Sequence, residues 1–189
     1  MDCGRASGSF QVSIEKPPLS AQNFLTGRSL RASRHGHQKF NSGDQNFADY
    51  ADMFYAGNIT IGTPPQRFQV RFDTACADVW VIDDTCTDVN ECDGWYNPRD
   101  GEGYWKQKFH RSQSTTFRRD GRPLYLEDEN SVVQGRFGVD TVVVGGISIE
   151  GQVFGMVDQL HGAFALYPFD GVVGLGWPSI AAQDTTLVF

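Results

Sequence analysis

Residues 68–80 read FQVRFDTACADVW and carry the strongest structural signal of the chain. Apolar and polar residues alternate as far as Phe72, and this period of two predicts a β-strand with Phe68, Val70 and Phe72 on one face. The strand delivers Asp73 to its end, where small residues replace the alternation. A carboxylate at a strand end is a frequent catalytic placement, whereas an isolated Asp-Thr pair is typical of a helix cap or an Asx turn.

The run at residues 72–80, FDTACADVW, resembles the first active-site motif of pepsin-like aspartic proteases, FDTGSSxxW. Residues 57–66, GNITIGTPPQ, resemble the strand and turn that precede this motif in the family. Residues 138–147, GVDTVVVGGI, resemble the segment after the flap, and residues 169–180, FDGVVGLGWPSI, resemble the family's FDGILGLGxPSI. The sequence around Asn58 is nearest to nematode members of the family.

The resemblance implies an all-β, pepsin-like acid protease fold. Enzymes of this family have two similar lobes that each supply one catalytic Asp, and a second Asp-Thr-Gly motif is absent from this sequence. We therefore expect residues 46–189 to form an incomplete, truncated amino-terminal lobe, and the second lobe of the fold to be missing from this sequence.

Charge separates the beginning of the chain from the rest. Residues 1–40 hold six Lys or Arg against two Asp or Glu, whereas the remaining residues hold ten against twenty-one. By resemblance to the family's zymogens, residues 1–45 are expected to be a propeptide-like basic arm held by ion pairs. Composition alone favours the alternative, a disordered basic arm.

By resemblance, Asp73 is the catalytic carboxylate of the first lobe, and it is expected to face open solvent beside the segment at residues 172–174. Thr74 is expected to hydrogen-bond across the lobe junction, and an ordinary strand Thr is the alternative. Trp80 matches the Trp that supports the flap tyrosine through its indole N–H. A core aromatic is the alternative reading of Trp80.

The flap of the family is expected at residues 128–131, by counting back from Asp140. This placement identifies Tyr125 and Asp128 as the candidate flap residues. Tyr125 lies three residues before the position of the family's flap tyrosine, unless the hairpin is extended. The glycines of a flexible tip are missing, and residues 127–129 are all acidic. A solvated hairpin tip is the alternative.

Two substitutions within the motif bear on catalysis. Ala75 replaces a Gly that lets the backbone approach its neighbours, and a misplacement of about 1 Å can cost on the order of 100-fold in rate. Cys76 replaces a Ser whose hydroxyl donates to the catalytic carboxylate, and a thiol is a weaker donor. Cysteine-protease chemistry is not expected, because no motif places His110 or His161 beside Cys76 as a base.

Cys86 and Cys92 match the small disulfide loop that follows the Trp of the family motif. A disulfide implies an oxidising compartment, and a pair of free thiols is the alternative. Asn58 begins an Asn-Ile-Thr sequon and is a candidate for glycosylation, which occurs in the secretory route. By resemblance the protein is secreted or lysosomal, although residues 1–9 show no apolar core of a signal peptide.

Turn signals and alternation predict further strands in the chain. Residues 145–146, both glycine, are expected to join a strand pair. Residues 10–14 are expected to pair as an edge strand, and residues 19–34 form a weak amphipathic helix pattern. The strand pair covers residues 134–144 and 147–157, and two further predicted strands cover residues 54–61 and 67–72.

Several classes of function are not expected. The acidic body disfavours nucleic-acid binding, and no run of about 18 apolar residues predicts a transmembrane helix. Cys3 and Cys76 complete no metal-ligand set, so we expect neither a metal nor a cofactor. The family-level function is endopeptidase hydrolysis of an extended polypeptide substrate. With one catalytic Asp, two alternatives stay open: an inactive, protease-derived peptide-binding protein, and a truncated gene product.

Overall fold

The computed structural model describes residues 11–15, 44–50, 54–97, 99, 101–128 and 131–182. The helix expected at residues 19–34 lies outside this set. The described residues form an all-β fold with two four-residue helices, α1 and α2, which confirms the expected fold class. The strands are β1 Gln11–Glu15, β2 Asp44–Tyr50, β3 Phe54–Ile61, β4 Gln66–Asp73, β5 Val79–Ile82, β6 Gly94–Asn97, β7 Glu102–Trp105, β8 Arg118–Asp128, β9 Ser131–Val144, β10 Ile147–Gly162 and β11 Gly171–Gly174, and the helices are α1 Val89–Cys92 and α2 Ala163–Leu166.

Nine of these strands form one sheet in the order β1-β2-β3-β4-β11-β5-β10-β9-β8, and β6 pairs with β7 in a separate ribbon. Strand β3 also pairs with β9, with Ile59 opposite Val144. This additional pairing closes β3, β4, β11, β5, β10 and β9 into a ring of hydrogen-bonded strands. Closure gives every strand in the ring a hydrogen-bonded neighbour on each side along part of its length.

The core consists of two apolar clusters, one on each side of β5 and β11. Phe68, Val70 and Phe72 of β4 all belong to the first cluster, which confirms the predicted face of that strand. Strand β5 sends Val79 and Val81 into the first cluster and Trp80 and Ile82 into the second. Because both faces of β5 are buried, its sequence is a continuous apolar run without alternation.

The edge strand expected at residues 10–14 is present as β1, which pairs in parallel with β2. Strand β2 pairs with β3 on its other side and was not predicted. It spans the boundary expected at residues 45 and 46, and the division into an arm and a lobe stays a prediction. Gln45 is buried on β2, and its side-chain oxygen accepts a hydrogen bond from the Gly145 N–H at 3.1 Å.

The disulfide between Cys86 and Cys92 is confirmed, with 6.0 Å between the two Cα atoms. Helix α1 ends at Cys92, and the Asp88 carboxylate caps its start by accepting the Asn90 N–H at 2.9 Å. Both cysteines are buried in the second cluster. The bond therefore fastens α1 to the core. Among the described residues, no helix has the length and apolar character that crossing a membrane requires.

The double variant Cys86→Ala/Cys92→Ala is expected to lose at least about 2 kcal/mol of unfolding free energy. The disulfide closes a loop with a sequence separation of six residues, and removing such a loop constraint from the unfolded chain accounts for about 2 kcal/mol. Urea denaturation measures the loss, and wild-type protein under a reductant should match the double variant. Cys76→Ala is the control for losing a thiol. Equal midpoints for the double variant and the oxidised wild type would contradict the prediction.

Candidate active site

The end of β4 and the end of β11 together position Asp73. The two strands run in parallel, and Gly174 lies opposite Asp73 in their register. Beyond β11, the Leu175 N–H donates to the Asp73 carbonyl oxygen at 2.7 Å, and the Gly176 N–H donates to the Cys76 carbonyl oxygen at 2.8 Å. The segment at residues 172–174 therefore lies beside the loop of residues 73–78, called the Asp73 loop below, as the sequence predicted.

The Asp73 carboxylate has two partners on its own chain segment. Its Oδ1 accepts the Ala75 N–H at 2.9 Å, and its Oδ2 lies 2.6 Å from Nη2 of Arg71. Only 14% of the side chain is exposed, so the expectation that Asp73 faces open solvent was wrong. Arg71 precedes Asp73 by two residues, shares its face of the strand and pairs with it.

Cys76 directs its sulfur to Asp78. The Asp78 N–H donates to Sγ at 3.4 Å, and the thiol donates to the Asp78 carbonyl oxygen at 3.7 Å. Burial raises the pKa of the Cys76 thiol to about 11, so the thiol is neutral at ordinary pH. The resemblance to pepsin-like proteases implied a Ser hydroxyl as a donor to the catalytic carboxylate. Here the Arg71 guanidinium is ion-paired with Oδ2 of Asp73 instead. His110 pairs with Asp84, and His161 pairs with Glu91.

The two supporting residues occupy different environments. Thr74 is exposed in the turn directly after β4. Trp80 is almost fully buried, and its ring lies edge-on to Phe164 with 5.5 Å between the ring centroids. In the sheet, Trp80 pairs with Val172 of β11 and with Gly155 of β10.

The hairpin of β8 and β9 occupies the place expected for the flap. Its last pair joins Asp128 to Ser131, which puts the turn where the count from Asp140 predicted it. Tyr125 pairs with Gln134, three residues before the end of β8. The Tyr125 side chain is exposed, and its hydroxyl donates to a Glu127 carboxylate oxygen at 2.6 Å.

Leu124, rather than Tyr125, is the β8 residue beside Trp80. A Cβ added at Gly155 would lie 2.4 Å from Cδ2 of Leu124 and 2.9 Å from Cβ of Trp80. Leu124 is buried in the same cluster as Trp80, and Tyr125 points to the opposite face of the strand. The structure thus does not bring Tyr125 to Trp80. The apolar pair Leu124 and Leu126, two residues apart, was the signal that could have identified the inward face.

The segment directly after β11 exposes large apolar side chains beside the Asp73 loop. Leu175, Trp177 and Ile180 are all exposed large hydrophobic residues, and 81% of Trp177 is accessible. The Ala182 N–H donates to both carboxylate oxygens of Asp78, at 3.1 and 2.9 Å, which fixes the segment against the loop. The three exposed side chains thus lie on the short segment that follows β11 and is held to the Asp73 loop.

The sequence profile described as "Eukaryotic aspartyl protease" matches residues 54–189. The chain belongs to the eukaryotic aspartyl protease family.

Individual aspartyl proteases and related proteins agree with the family match. The chain is 41% identical over 155 residues to aspartic protease 1 of Caenorhabditis elegans, which covers 81% of this chain and 38% of that protein. It is 42% identical over 146 residues to pregnancy-associated glycoprotein 1 of Sus scrofa, with coverages of 75% and 33%. It is 37% identical over 146 residues to pepsin A of Canis lupus familiaris, with coverages of 77% and 35%. The chain thus spans less than two fifths of the length of these three relatives.

The aspartyl protease fold of this chain also buries two ionisable side chains, Asp170 and Lys106. Asp170, in the block FDGVVG, accepts the Gln69 N–H and the Gln107 N–H, each at 2.7 Å. Burial raises the pKa of the Asp170 carboxyl to about 6. Lys106 is also buried, which lowers its pKa to about 8, and its Nζ donates to the Phe164 carbonyl oxygen at 2.8 Å. Asp170 therefore ties β4 and the segment after β7 to the start of β11.

Proposed function

We propose that this chain is the amino-terminal lobe of an aspartic-type endopeptidase and that Asp73 is one of two catalytic carboxylates. The observation that carries the proposal is the Asp73 loop, in which a carboxylate at the end of β4 is braced by the backbone of β11. In this chemistry two neighbouring carboxylates share one proton because like charges at short range cannot both ionise easily. One carboxylate takes a proton from water, and the other protonates the substrate carbonyl.

The second carboxylate belongs to a second lobe. The exposed apolar residues Leu175, Trp177 and Ile180 beside the Asp73 loop supply a surface for that lobe, and Thr74 is exposed at the same place. The polypeptide substrate would lie in extended form between the lobes, beneath the hairpin of β8 and β9. The Tyr125 and Asp128 positions belong to that hairpin.

The proposed compartment rests on covalent chemistry. The disulfide of Cys86 and Cys92 is stable in oxidising surroundings, which supports a secreted or lysosomal location. Asn58 is exposed on β3 and begins a glycosylation sequon, so its modification in the secretory route is part of the same proposal.

A second candidate function is peptide binding without cleavage. The Asp73 carboxylate is ion-paired with Arg71, and the Cys76 thiol is bonded to Asp78. The Arg71 guanidinium on one oxygen and the Ala75 N–H on the other leave the Asp73 carboxylate fewer free lone pairs for a water molecule or a second carboxylate. The ion pair therefore favours a lobe that keeps the substrate groove and has lost the chemistry.

We expect the isolated chain to show no acid-dependent peptidase activity, because it supplies only one carboxylate of the pair. The measurement is cleavage of a quenched peptide between about pH 3 and 6, beside an Asp73→Asn control. Cleavage by the parent that disappears in the control would show that two copies assemble a site, and it would contradict the prediction.

A chimera tests the catalytic role of Asp73 itself. The chain is fused to the carboxyl-terminal part of aspartic protease 1 of Caenorhabditis elegans, and acid-dependent cleavage is expected to fall by at least about 1,000-fold in Asp73→Asn. Equal cleavage with and without Asp73 would overturn the role. A folded chimera that binds the peptide, fails to cleave it and gains cleavage in Arg71→Val would instead establish the binding function.

A further inference from the structure

Arg71 is a charged residue on the side of the sheet that holds the second apolar cluster. It lies opposite Ala56 of β3 and Val172 of β11, and residues that are directly opposite in a sheet share a face. Val172 in turn lies opposite Trp80 of β5. The second cluster contains these three neighbours and also Leu124 from the hairpin of β8 and β9. The Arg71 side chain therefore projects to the side of the sheet on which this hairpin packs.

The guanidinium of Arg71 has donors that Asp73 does not use. Its Nη2 lies 2.6 Å from Oδ2 of Asp73, and Arg71 forms no second ion pair within the part of the chain that the structure describes. The Arg71 side chain is 28% exposed, against 14% for Asp73. A guanidinium presents five N–H donors in a planar fork that binds a carboxylate through two of them. Arg71 can therefore accept a second carboxylate from the solvent side while it stays beside Asp73.

This ion pair sets a condition on a peptide that reaches Asp73. The peptide displaces water from the exposed part of Arg71, and the hydrogen bonds lost to water need replacement. A neutral side chain leaves donors of the guanidinium unpaired and keeps Asp73 as its one carboxylate. A side-chain carboxylate supplies the missing acceptors and competes with Asp73 for the guanidinium. An acidic peptide is therefore held by Arg71 and at the same time frees Oδ2 of Asp73.

The other classes of side chain fit this position less well. Lysine and arginine side chains are repelled by the guanidinium. Asparagine and glutamine offer an uncharged acceptor, and hydrogen bonds between neutral partners are about half as strong as charge-assisted ones. A site built to pair a polar group also discriminates against an analogue that lacks the group. The charge and the fork of Arg71 thus select an acidic residue.

We propose that Arg71 determines the specificity of this site by binding the side-chain carboxylate of an Asp or Glu next to the peptide bond that faces Asp73. The inference rests on the proposed function, because it places an extended peptide at Asp73. It concerns recognition and applies equally to a lobe that cleaves and to one that only binds. Arg71 forms no covalent bond and transfers no proton.

The test is calorimetry on the full chain at about pH 6, where a Glu side chain is ionised. The probes are short peptides of alanine and phenylalanine, acetylated and amidated at their ends, with Glu, Gln or the methyl ester of Glu at the centre. We expect the Glu peptide to bind at least about tenfold more tightly than either neutral peptide. Affinities equal within about twofold, or no binding of the Glu peptide at about 1 mM, would overturn the proposal.

A carboxylate at the end of a peptide offers the same chemistry as an acidic side chain. The Gln peptide with a free carboxyl terminus is therefore a further probe. We expect it to bind as weakly as the amidated Gln peptide, because its carboxylate lies away from the centre. Binding as tight as that of the Glu peptide would assign Arg71 to chain ends and would overturn the specificity for a side chain.

Variants locate the recognition at Arg71. Arg71→Val is expected to bring the affinities for the Glu and Gln peptides within about twofold of each other. Arg71→Lys keeps the charge without the fork, and the preference for Glu is expected to fall by at least about threefold. Arg67→Val is the matched control, because Arg67 is an exposed arginine of β4, opposite Thr60, on the same face as Arg71. Its preference for Glu should stay within about twofold of the wild type.

An undiminished preference in Arg71→Val, or an equal loss in Arg67→Val, would place the recognition elsewhere and overturn the assignment. If Arg71→Val fails to fold by circular dichroism, Arg71→Lys decides, and an unchanged preference in that variant would overturn the assignment as well.

Failure of this inference and failure of the peptidase proposal give different results. In the chimera, cleavage that depends on Asp73 and is equal for Glu and Gln peptides would leave the peptidase proposal intact and overturn the role of Arg71. Preferential binding of the Glu peptide by a chain whose chimera never cleaves would support the role of Arg71 together with the second candidate function.

Discussion

Replacement of Gly171 by alanine is expected to abolish the folded structure, with a loss of at least about 4 kcal/mol. A Cβ at this position would lie 2.1 Å from the Trp80 carbonyl oxygen and 2.9 Å from the Val81 Cα. Both atoms belong to the backbone of β5, so no side-chain rotation relieves the overlap. Strand β11 lies between β4 and β5 and contributes to both core clusters, and moving it disrupts close packing on both faces.

Thermal and urea unfolding, followed by near-ultraviolet circular dichroism, measure this loss. Gly146→Ala is the matched control, because a Cβ there meets nothing within 4 Å and the residue carries only a positive φ of 84°. Gly146→Ala is expected to lower the unfolding free energy by about 1 kcal/mol, because an alanine at positive φ is strained. A cooperative transition of Gly171→Ala within about 1 kcal/mol of the wild type would show that β11 moves freely, against this expectation.

The variant Asp170→Asn is expected to change how stability depends on pH. Burial raises the pKa of the Asp170 carboxyl to about 6 from an ordinary value of 3.8, so the folded state holds its proton more tightly than the unfolded state. The protonated Asp170 carboxyl therefore contributes to the unfolding free energy in full below about pH 4. This contribution is lost as the pH rises through about 6. Between about pH 4 and 7 this loss amounts to roughly 2 to 3 kcal/mol. Asparagine cannot ionise and removes the dependence.

The measurement is the unfolding free energy of the wild type and of Asp170→Asn from about pH 4 to 7, and the readout is their difference at each pH. Asn keeps one acceptor oxygen for the two N–H groups, which lowers stability by a pH-independent amount and leaves the readout intact. Lys106, with a pKa of about 8, changes its charge mainly above this range. Glu150→Gln, an exposed carboxylate on β10, sets the baseline. Parallel curves for the wild type and Asp170→Asn would contradict the prediction.

Strands were predicted correctly where their own residues alternate between apolar and polar or end at clear turn residues. β4 alternates strictly, and the glycine pair at residues 145–146 marks the turn between β9 and β10. Strand β2 was missed because its buried positions include the polar residues Gln45 and Asp49. Their burial depends on partners about 100 residues away, such as Gly145, and no local window contains that information.

Strand β8 was missed for a different reason. Pro123 interrupts the run, and several arginines give it the composition of a surface loop. The strand exists because β9 supplies its partner across the hairpin. A proline is tolerated in an edge strand, because the N–H that it lacks would face solvent there and not a neighbouring strand.

The sequence predicted the position of Asp73 and missed its surroundings. The motif placed the carboxylate at the end of β4 and beside β11, where the structure has it. The ion pair with Arg71 was overlooked, although the period of two puts residues 71 and 73 on the same face of a strand. The direction of the Cys76 thiol toward Asp78 depends on the conformation of the turn, which the residue types alone do not determine.

Closure of the ring through β3 and β9 has a consequence for self-association. Within the described residues, the nine-stranded sheet has open edges only at β1 and β8, since every other strand has a neighbour on both sides. The open side of β8 carries Pro123 and the charged residues Arg118, Arg119 and Arg122. Proline and charge on an edge strand oppose the edge-to-edge pairing that leads to aggregates. The most apolar strands, β5 and β11, are hydrogen-bonded on both sides within the ring and offer no free edge for pairing.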